Sequence, residues 1–212
     1  MRIVTANLLV DFEGDRTCEF LQTGMLVHSS PDIIMLQELH YKRKEAVDKL
    51  LVDYVAQFPL TEGMGCMIYV RKTDKVDGIF YKKFSSTFMD RGIYAVKVLD
   101  VWYITTHLES MDKPQFEKNR QTQLQEMWDF IKDKSKVVIG MDSNIKESLT
   151  LPQHVIDIWD KDPVNTWFAG RFFDYIAECR FDRFLVKNVL VCEKDVITNR
   201  FSDHDMLYLN TQ

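Results

Sequence analysis

Six apolar segments of this chain end in, or open from, side chains that can do chemistry on an anionic substrate. Asn7 closes Val4-Thr5-Ala6, Glu38 follows Ile33-Ile34-Met35-Leu36-Gln37, and His107, Glu109 and Ser110 follow Tyr103-Ile104-Thr105-Thr106. Asp142 and Asn144 follow Val137-Val138-Ile139-Gly140-Met141, Asp182 lies in Arg180-Phe181-Asp182-Arg183-Phe184, and Asp203-His204 precede Met206-Leu207. Carboxylate and amide oxygens are hard ligands suited to Mg²⁺, a carboxylate or imidazole can take up a proton from water, and imidazole and amide donors match anionic oxygens. Singly, each has a plainer use. Asn7 can close a turn, Glu38 can be a surface carboxylate, Asp142 and Asn144 can bond their own backbone, and His107 or His204 can be a hydrogen-bonded structural histidine. The recurrence at strand ends, where the chain leaves a core and side chains converge on one rim, points to a site.

The elements that must position these residues are mostly strands. Short runs rich in β-branched and aromatic residues predict strands over 3–9, 33–36, 66–71, 79–84, 93–99, 101–106, 137–141, 181–186 and 206–209. Apolar residues three and four apart predict helices over 18–27, 44–55 and 114–131, with a weaker candidate over 152–159. This order is neither a pure βαβ alternation nor an all-β pattern. It predicts an α/β fold in which two mixed sheets pack face to face with helices on the outer faces, because each strand's second face needs cover. No repeat, linker or composition shift divides residues 1–212, so one domain is expected.

Composition narrows the classes. Aromatics at 12% and hydrophobic residues at 46% of 212, with eight Gly and five Pro, exclude disordered and fibrous chains. A formal charge of −5 argues against sequence-blind binding to long polyanions, yet acidic side chains gathered round a divalent cation would contribute to that balance. Lys42-Arg43-Lys44, Arg71-Lys72 and Lys82-Lys83 read as solvated faces. Cysteines 18, 66, 179 and 192 include no CxxC pair, so zinc-site spacing is missing and reduced, packed thiols are expected. No apolar run is long enough to span a bilayer, and the opening segment does not read as a signal peptide. A soluble protein of the nucleus or cytoplasm, monomeric and without a membrane partner, is expected.

Thr106-His107-Leu108-Glu109-Ser110, Gly140-Met141-Asp142-Ser143-Asn144, Thr166-Trp167, Arg180-Phe181-Asp182-Arg183 and Ser202-Asp203-His204, in this order, resemble the endonuclease/exonuclease/phosphatase superfamily. Within it they resemble the 5′-tyrosyl-DNA phosphodiesterases. The resemblance implies a four-layer α/β sandwich and hydrolysis of the bond between a tyrosine and a nucleic-acid 5′ phosphate, in repair of ends carrying a trapped topoisomerase peptide. The implied partners are DNA 5′ ends with a tyrosyl or peptide adduct, or RNA in their place. It implies Mg²⁺, or Mn²⁺ in its place, held by Glu38 with Asn7 and Asp203 near it. Asp142 would activate or orient the attacking water, Asn144 would hold that water and the phosphate, and His107, Ser110 and His204 would grip the phosphate. Asp182 would pair with His204, while Lys146 and Trp167 would contact substrate. Trp167 also has a packing reading, and the ten methionines read as core filling.

Some positions depart from the family pattern. Met141 and Ser143 flank Asp142 where Gly and Thr are usual, Lys146 stands for Arg, Asp205 stands for Trp, and no Trp precedes Asn7. Lysine keeps the charge of Arg but loses its bidentate fork. A catalytic domain alone is expected, without the amino-terminal ubiquitin-binding domain that some relatives carry. The rivals are a DNA nuclease or a phosphoinositide phosphatase of the same superfamily, and a non-catalytic partner-binding module. Erosion of Glu38, Asp142, Asn144, Asp203 or His204 would mark the last of these, and all five are intact.

Overall fold

The computed structural model describes every residue except 10–15, 28–29, 172–173 and 200, and only the backbone over 23–27. Strands β1 (Arg2–Asn7), β2 (Ile33–His40), β3 (Tyr54–Ala56) and β4 (Met64–Arg71) join β13 (Val191–Ile197) and β14 (Met206–Thr211) in one six-stranded sheet, ordered β13-β14-β1-β2-β4-β3. A second six-stranded sheet, ordered β5-β6-β7-β8-β12-β9, contains β5 (Val76–Lys83), β6 (Gly92–Val98), β7 (Val101–His107), β8 (Val137–Asp142), β9 (Val155–Asp157) and β12 (Asp182–Lys187). Each sheet is mixed: β1–β2 and β7–β8 are parallel and the other pairings antiparallel. β10 (Trp167–Phe168) and β11 (Glu178–Cys179) form a short ribbon beside them.

The two sheets pack face to face. Ile3, Met35, Tyr103, Val138 and Phe184 lie in one continuous core with Phe20 and Leu21 of α1 (Thr17–Val27) and Val47 of α2 (Tyr41–Leu50). A second core joins Ile104, Ile139 and Leu185 to Leu124, Met127 and Ile131 of α3 (Pro114–Ile131). Alternation along β8 therefore sends Val137, Ile139 and Met141 to α3 and sends Val138, Gly140 and Asp142 to the facing sheet. Gln37, fully buried, ties the sheets together by donating to Thr5 Oγ1 at 2.9 Å and Thr105 Oγ1 at 2.8 Å. The first and last strands meet as well: β1 pairs with β14, and the Met1 amino group donates to the Thr211 carbonyl at 2.6 Å.

The sheets approach each other closely at Gly140. A Cβ there would lie 2.7 Å from Thr5 Cβ and 2.8 Å from Met35 Sδ, so any side chain forces the sheets apart. Gly140→Ala is expected to cost about 3 kcal/mol, at the upper end for overpacking, and a lowered urea midpoint with unchanged slope checks it.

Several elements differ from the sequence expectation. The second helix covers Tyr41–Leu50, because Leu51 leaves helical geometry and 54–56 pairs with the edge of β4 as β3. The helix expected over 152–159 is absent. Val155–Asp157 is instead an edge strand on β12, where its two buried alternate residues face inward. β2 runs on to His40 through a bulge between Leu36 and Leu39. β10, β11 and β13 are additional; β13 alternates poorly because Glu193, Lys194 and Asp195 are exposed on an edge strand.

Candidate active site

One rim of the sandwich collects the polar strand ends. In β1, Ile3, Thr5 and Asn7 follow the inward alternation, as do Tyr103, Thr105 and His107 in β7 and Val138, Gly140 and Asp142 in β8. Parallel β7 and β8 deliver His107 and Asp142 as register partners at their C-terminal ends. Antiparallel β12 brings Asp182, its first residue, opposite Asp142 from the other side. Asp203 and His204 enter just before β14, which runs antiparallel to β1. Glu38 would continue the outward series of Ile34 and Leu36. The β2 bulge and a left-handed Glu38 backbone, φ +56°, turn it into the rim, 3.7 Å from His107 Nδ1.

Asp142 is the hub. Its Oδ2 accepts from Asn7 Nδ2 at 2.8 Å and its Oδ1 from the Asn144 backbone N–H at 2.9 Å. His107 Nε2 lies 3.2 Å from the same Oδ2, with the Asn144 carboxamide 2.9 Å from that ring nitrogen. Arg91 Nη1 sits 2.7 Å from His107 Nδ1; a guanidinium has only donors, so Nδ1 is the acceptor of that pair. Burial alone would raise the Asp142 carboxyl, but His107, His204 and the Asn144 N–H hold it well below the usual carboxylate range.

His204 is bonded through Nδ1 to Asp182 Oδ2 at 2.8 Å, with Asp142 Oδ2 and Asp203 Oδ1 at 3.9 and 3.7 Å from Nε2. Burial pulls its pKa down, yet Asp182, Asp142 and Asp203 outweigh burial and push it up to about 10. At neutral pH it is therefore an imidazolium fixed against three carboxylates. A histidine raised in the folded state contributes stability in full below its unfolded value near 6.5 and loses it as pH rises through the folded value. Stability should thus fall between pH 6.5 and about 10, and His204→Gln should flatten that decline in urea unfolding measured across the same window.

The structure brings together the residues singled out in the sequence, Glu109 excepted, which is fully buried against the 87–89 loop. Asn7, Glu38, His107, Ser110, Asp142, Asn144, Lys146, Trp167, Asp203 and His204 all line one cleft of about 610 Å³, and Asp182 stands behind His204. Lys146 lies at the mouth, paired with Asp112 at 2.8 Å, and Ser110 Oγ contacts Met89 Sδ at 3.2 Å. Trp167 is half-buried, donates from its indole N–H to Asp203 Oδ2 at 2.6 Å, and lies against Phe181.

Sequence reasoning missed Arg91 and the anchoring part of Arg183, and it counted Glu109 among the rim groups where the structure makes it a buried support. Arg91 precedes β6, far from the motifs, and carries no spacing signal. Glu109 is fully buried and accepts from Thr87, Phe88 and Met89, fixing the loop that delivers Arg91. Arg183, 1% exposed, bonds Asp157 at 2.9 Å, Ser143 Oγ at 3.1 Å and the carbonyls of Ile145 and Glu147, and so holds the loop carrying Asn144 and Lys146. The doubled arginines of Arg180-Phe181-Asp182-Arg183 were the one available hint, since Arg180 also pairs with Asp157.

Two sets of groups bear on metal binding. Among the described residues, Asp142, Asp182 and His204 form a buried group whose ligand atoms lie within 4.8 Å of one another, a grouping of a kind that can hold a metal ion. Glu38 and Asp203 form the second set and face the cleft. Asp203 Oδ1 is buried without a hydrogen-bond partner, and burial raises its carboxyl, opposed by His204 and Trp167 and reinforced by Glu38 and Asp142. A divalent cation would satisfy that oxygen and relieve the crowding of like charge, so these hard donors fit Mg²⁺. Asn7 gives its amide nitrogen to Asp142 and accepts from Leu9 N–H, leaving one oxygen lone pair for a cation.

No family model matches the sequence, and no curated protein is similar to it in sequence. Solved structures are similar over the whole chain. D. rerio TDP2 complexed with single-strand DNA product superposes with a TM-score of 0.87 at 22% identity, covering 100% of this chain and 98% of that one. Truncated Caenorhabditis elegans TDP2 gives 0.84 at 20%, covering 99% and 96%. The endonuclease/exonuclease/phosphatase from Bacteroides vulgatus gives 0.80 at 15%, covering 100% and 98%. The chain has the fold of these proteins, as the resemblance of its motifs implied.

Proposed function

We propose that this chain is a Mg²⁺-dependent phosphodiesterase that hydrolyses the bond between a tyrosine and the 5′ phosphate of a nucleic-acid strand. The observation that carries the reading is the pairing of a permanently ionised Asp142 with an imidazolium His204 at the end of a cleft whose other wall offers Glu38 and an unsatisfied Asp203 oxygen. Asp142 keeps its charge at any working pH, and with Asn144 it orients water towards the phosphorus. Its depressed pKa suits orientation and electrostatic pull better than storage of a proton. His204, locked by Asp182, offsets the charge that builds on the phosphate oxygens. Glu38 and Asp203, with Asn7 beside them, would hold Mg²⁺, which when bound supplies Lewis-acid stabilisation of the phosphate. A tyrosine leaves as a phenolate of pKa about 10, so it needs less help than an alkoxide.

Trp167 and Phe181 line the cleft with apolar faces on which an unpaired base can stack, and Lys146 at the mouth meets the strand's phosphates. The similarity to a TDP2 structure holding single-strand DNA product supports a single-stranded path into this cleft. A DNA nuclease or phosphatase of the same fold would use the same core, and the likeness to the Bacteroides protein keeps that reading in play.

The deciding experiment compares, under one Mg²⁺ condition, an oligonucleotide with a 5′ phosphotyrosine, its 3′ counterpart, an abasic duplex and a soluble phosphoinositide. The 5′ phosphotyrosyl strand is expected to lead in kcat/KM by ~10-fold or more, ~1.4 kcal/mol at the transition state. A lead for the abasic duplex or the inositol lipid head group would transfer the function to the rival class.

A further inference from the structure

Arg171 and Asp205 take no part in the chemistry above, yet they tie together the two segments that bring Trp167 and His204 into the cleft. Trp167 and His204 form an antiparallel bridge, Phe168 N–H donates to the Asp203 carbonyl at 2.8 Å, and Asp205 N–H donates to the Thr166 carbonyl at 2.7 Å. Beyond that bridge, Arg171 Nη1 donates to Asp205 Oδ1 at 2.8 Å and to the Ser202 carbonyl at 3.3 Å, with its guanidinium 4.3 Å from the centre of the Phe168 ring. Asp205 is 1% exposed, and the same Oδ1 accepts from Asn199 N–H at 3.2 Å. Asn199 in turn accepts from Phe201 and Ser202 N–H and donates to the His204 carbonyl. The loop holding Asp203 and His204 is thus fixed at one end by Ser202 Oγ on the Asn7 carbonyl and at the other by Arg171.

A buried carboxylate is tolerated only while its cation and donors stay in place. Removing the guanidinium takes the cation from a buried Asp205, leaving it among the described residues only the Asn199 backbone N–H and, at 3.5 Å, the Asn199 amide, and the cheapest relief is for the 166–171 segment to swing away and admit water. Trp167 rides on that segment, and Asp203, which its indole grips, rides on the other. We propose that Arg171 and Asp205 are a positioning pair that sets Trp167 against Asp203 and so fixes the width of the cleft where the nucleotide strand enters. The strand's identity rests on the function proposed above; the positioning role does not.

The test labels the protein with 5-fluorotryptophan and follows its four tryptophans, Trp102, Trp128, Trp159 and Trp167, by ¹⁹F NMR, with Trp167→Phe assigning the fourth resonance. Arg171→Gln and Asp205→Asn should each move or split the Trp167 resonance while the other three hold. Arg171→Lys, which keeps the charge, should move it less. On a single-stranded 5′-phosphotyrosyl oligonucleotide, the Gln and Asn variants should raise KM ~10-fold with kcat within ~3-fold of the parent. A Trp167 resonance unmoved in both variants, or four resonances moving together as in general loosening, overturns the proposal. A Trp167-specific shift in a protein that cleaves no such oligonucleotide upholds the pair and removes the substrate reading instead.

Discussion

Asp142→Asn is expected to lower kcat by ~10³-fold while the protein stays folded, the largest loss from any exchange of one oxygen for one nitrogen in this cleft. Both Asp142 oxygens are already acceptors, from Asn7 Nδ2 and from Asn144 N–H. An amide group there must turn its NH₂ towards one of those donors, so the substitution removes a charge and also sets donor against donor. The effect should spread to His204, because Asp142 is one of the charges that raise its pKa. The His204 titration, followed by ¹H–¹⁵N NMR, should move down in the variant. Retention of most of the parent activity would mean that the water is held elsewhere.

Glu38→Gln, the second large effect, should act through the metal. The substitution keeps shape at a residue whose left-handed backbone, φ +56°, already tolerates a long side chain, so the loss reports charge and ligation. Removing an outer-shell partner of a metal ligand costs ~10–100-fold in affinity, and losing the ligand's charge should cost at least as much. Turnover in EDTA should be nil. Mn²⁺ should raise the thermal midpoint of the parent at concentrations where the variant does not respond. That binding readout is independent of any substrate. Full turnover in EDTA, or an equal Mn²⁺ response in both proteins, would show that Glu38 holds no cation.

The central strands and the rim were legible in the sequence for one physical reason. A buried strand is a run of apolar residues, and polar groups such as Asn7, Glu38 and Asp142 are tolerated only where that run ends. α3 was equally plain, since eighteen residues of helical spacing leave little alternative. What lies at sheet edges was not. Val155–Asp157 is only three residues long and Val191–Ile197 is mostly exposed, so hydrophobicity marks neither, and neighbouring strands decide their conformation. Nor can a sequence show that Arg91 meets His107 or that Arg183 grips the loop after Asp142, because those contacts are made by tertiary packing. The bulge that turns Glu38 inward is the sharpest case: strict alternation would have sent it away from the residues it joins.

The pairing of β1 with β14 has a consequence for synthesis on the ribosome. Asp203 and His204, and the strand that seats them beside β1, are made almost two hundred residues after Asn7. Until then β1 lacks its antiparallel neighbour and Asp142 lacks one of its two imidazoles. At ~5–20 residues per second, a nascent chain therefore spends ~10–40 s with β1 made and its antiparallel neighbour not yet synthesised. A product stalled before Ser202 carries Asp142 without its second imidazole and β1 without the strand that closes its sheet.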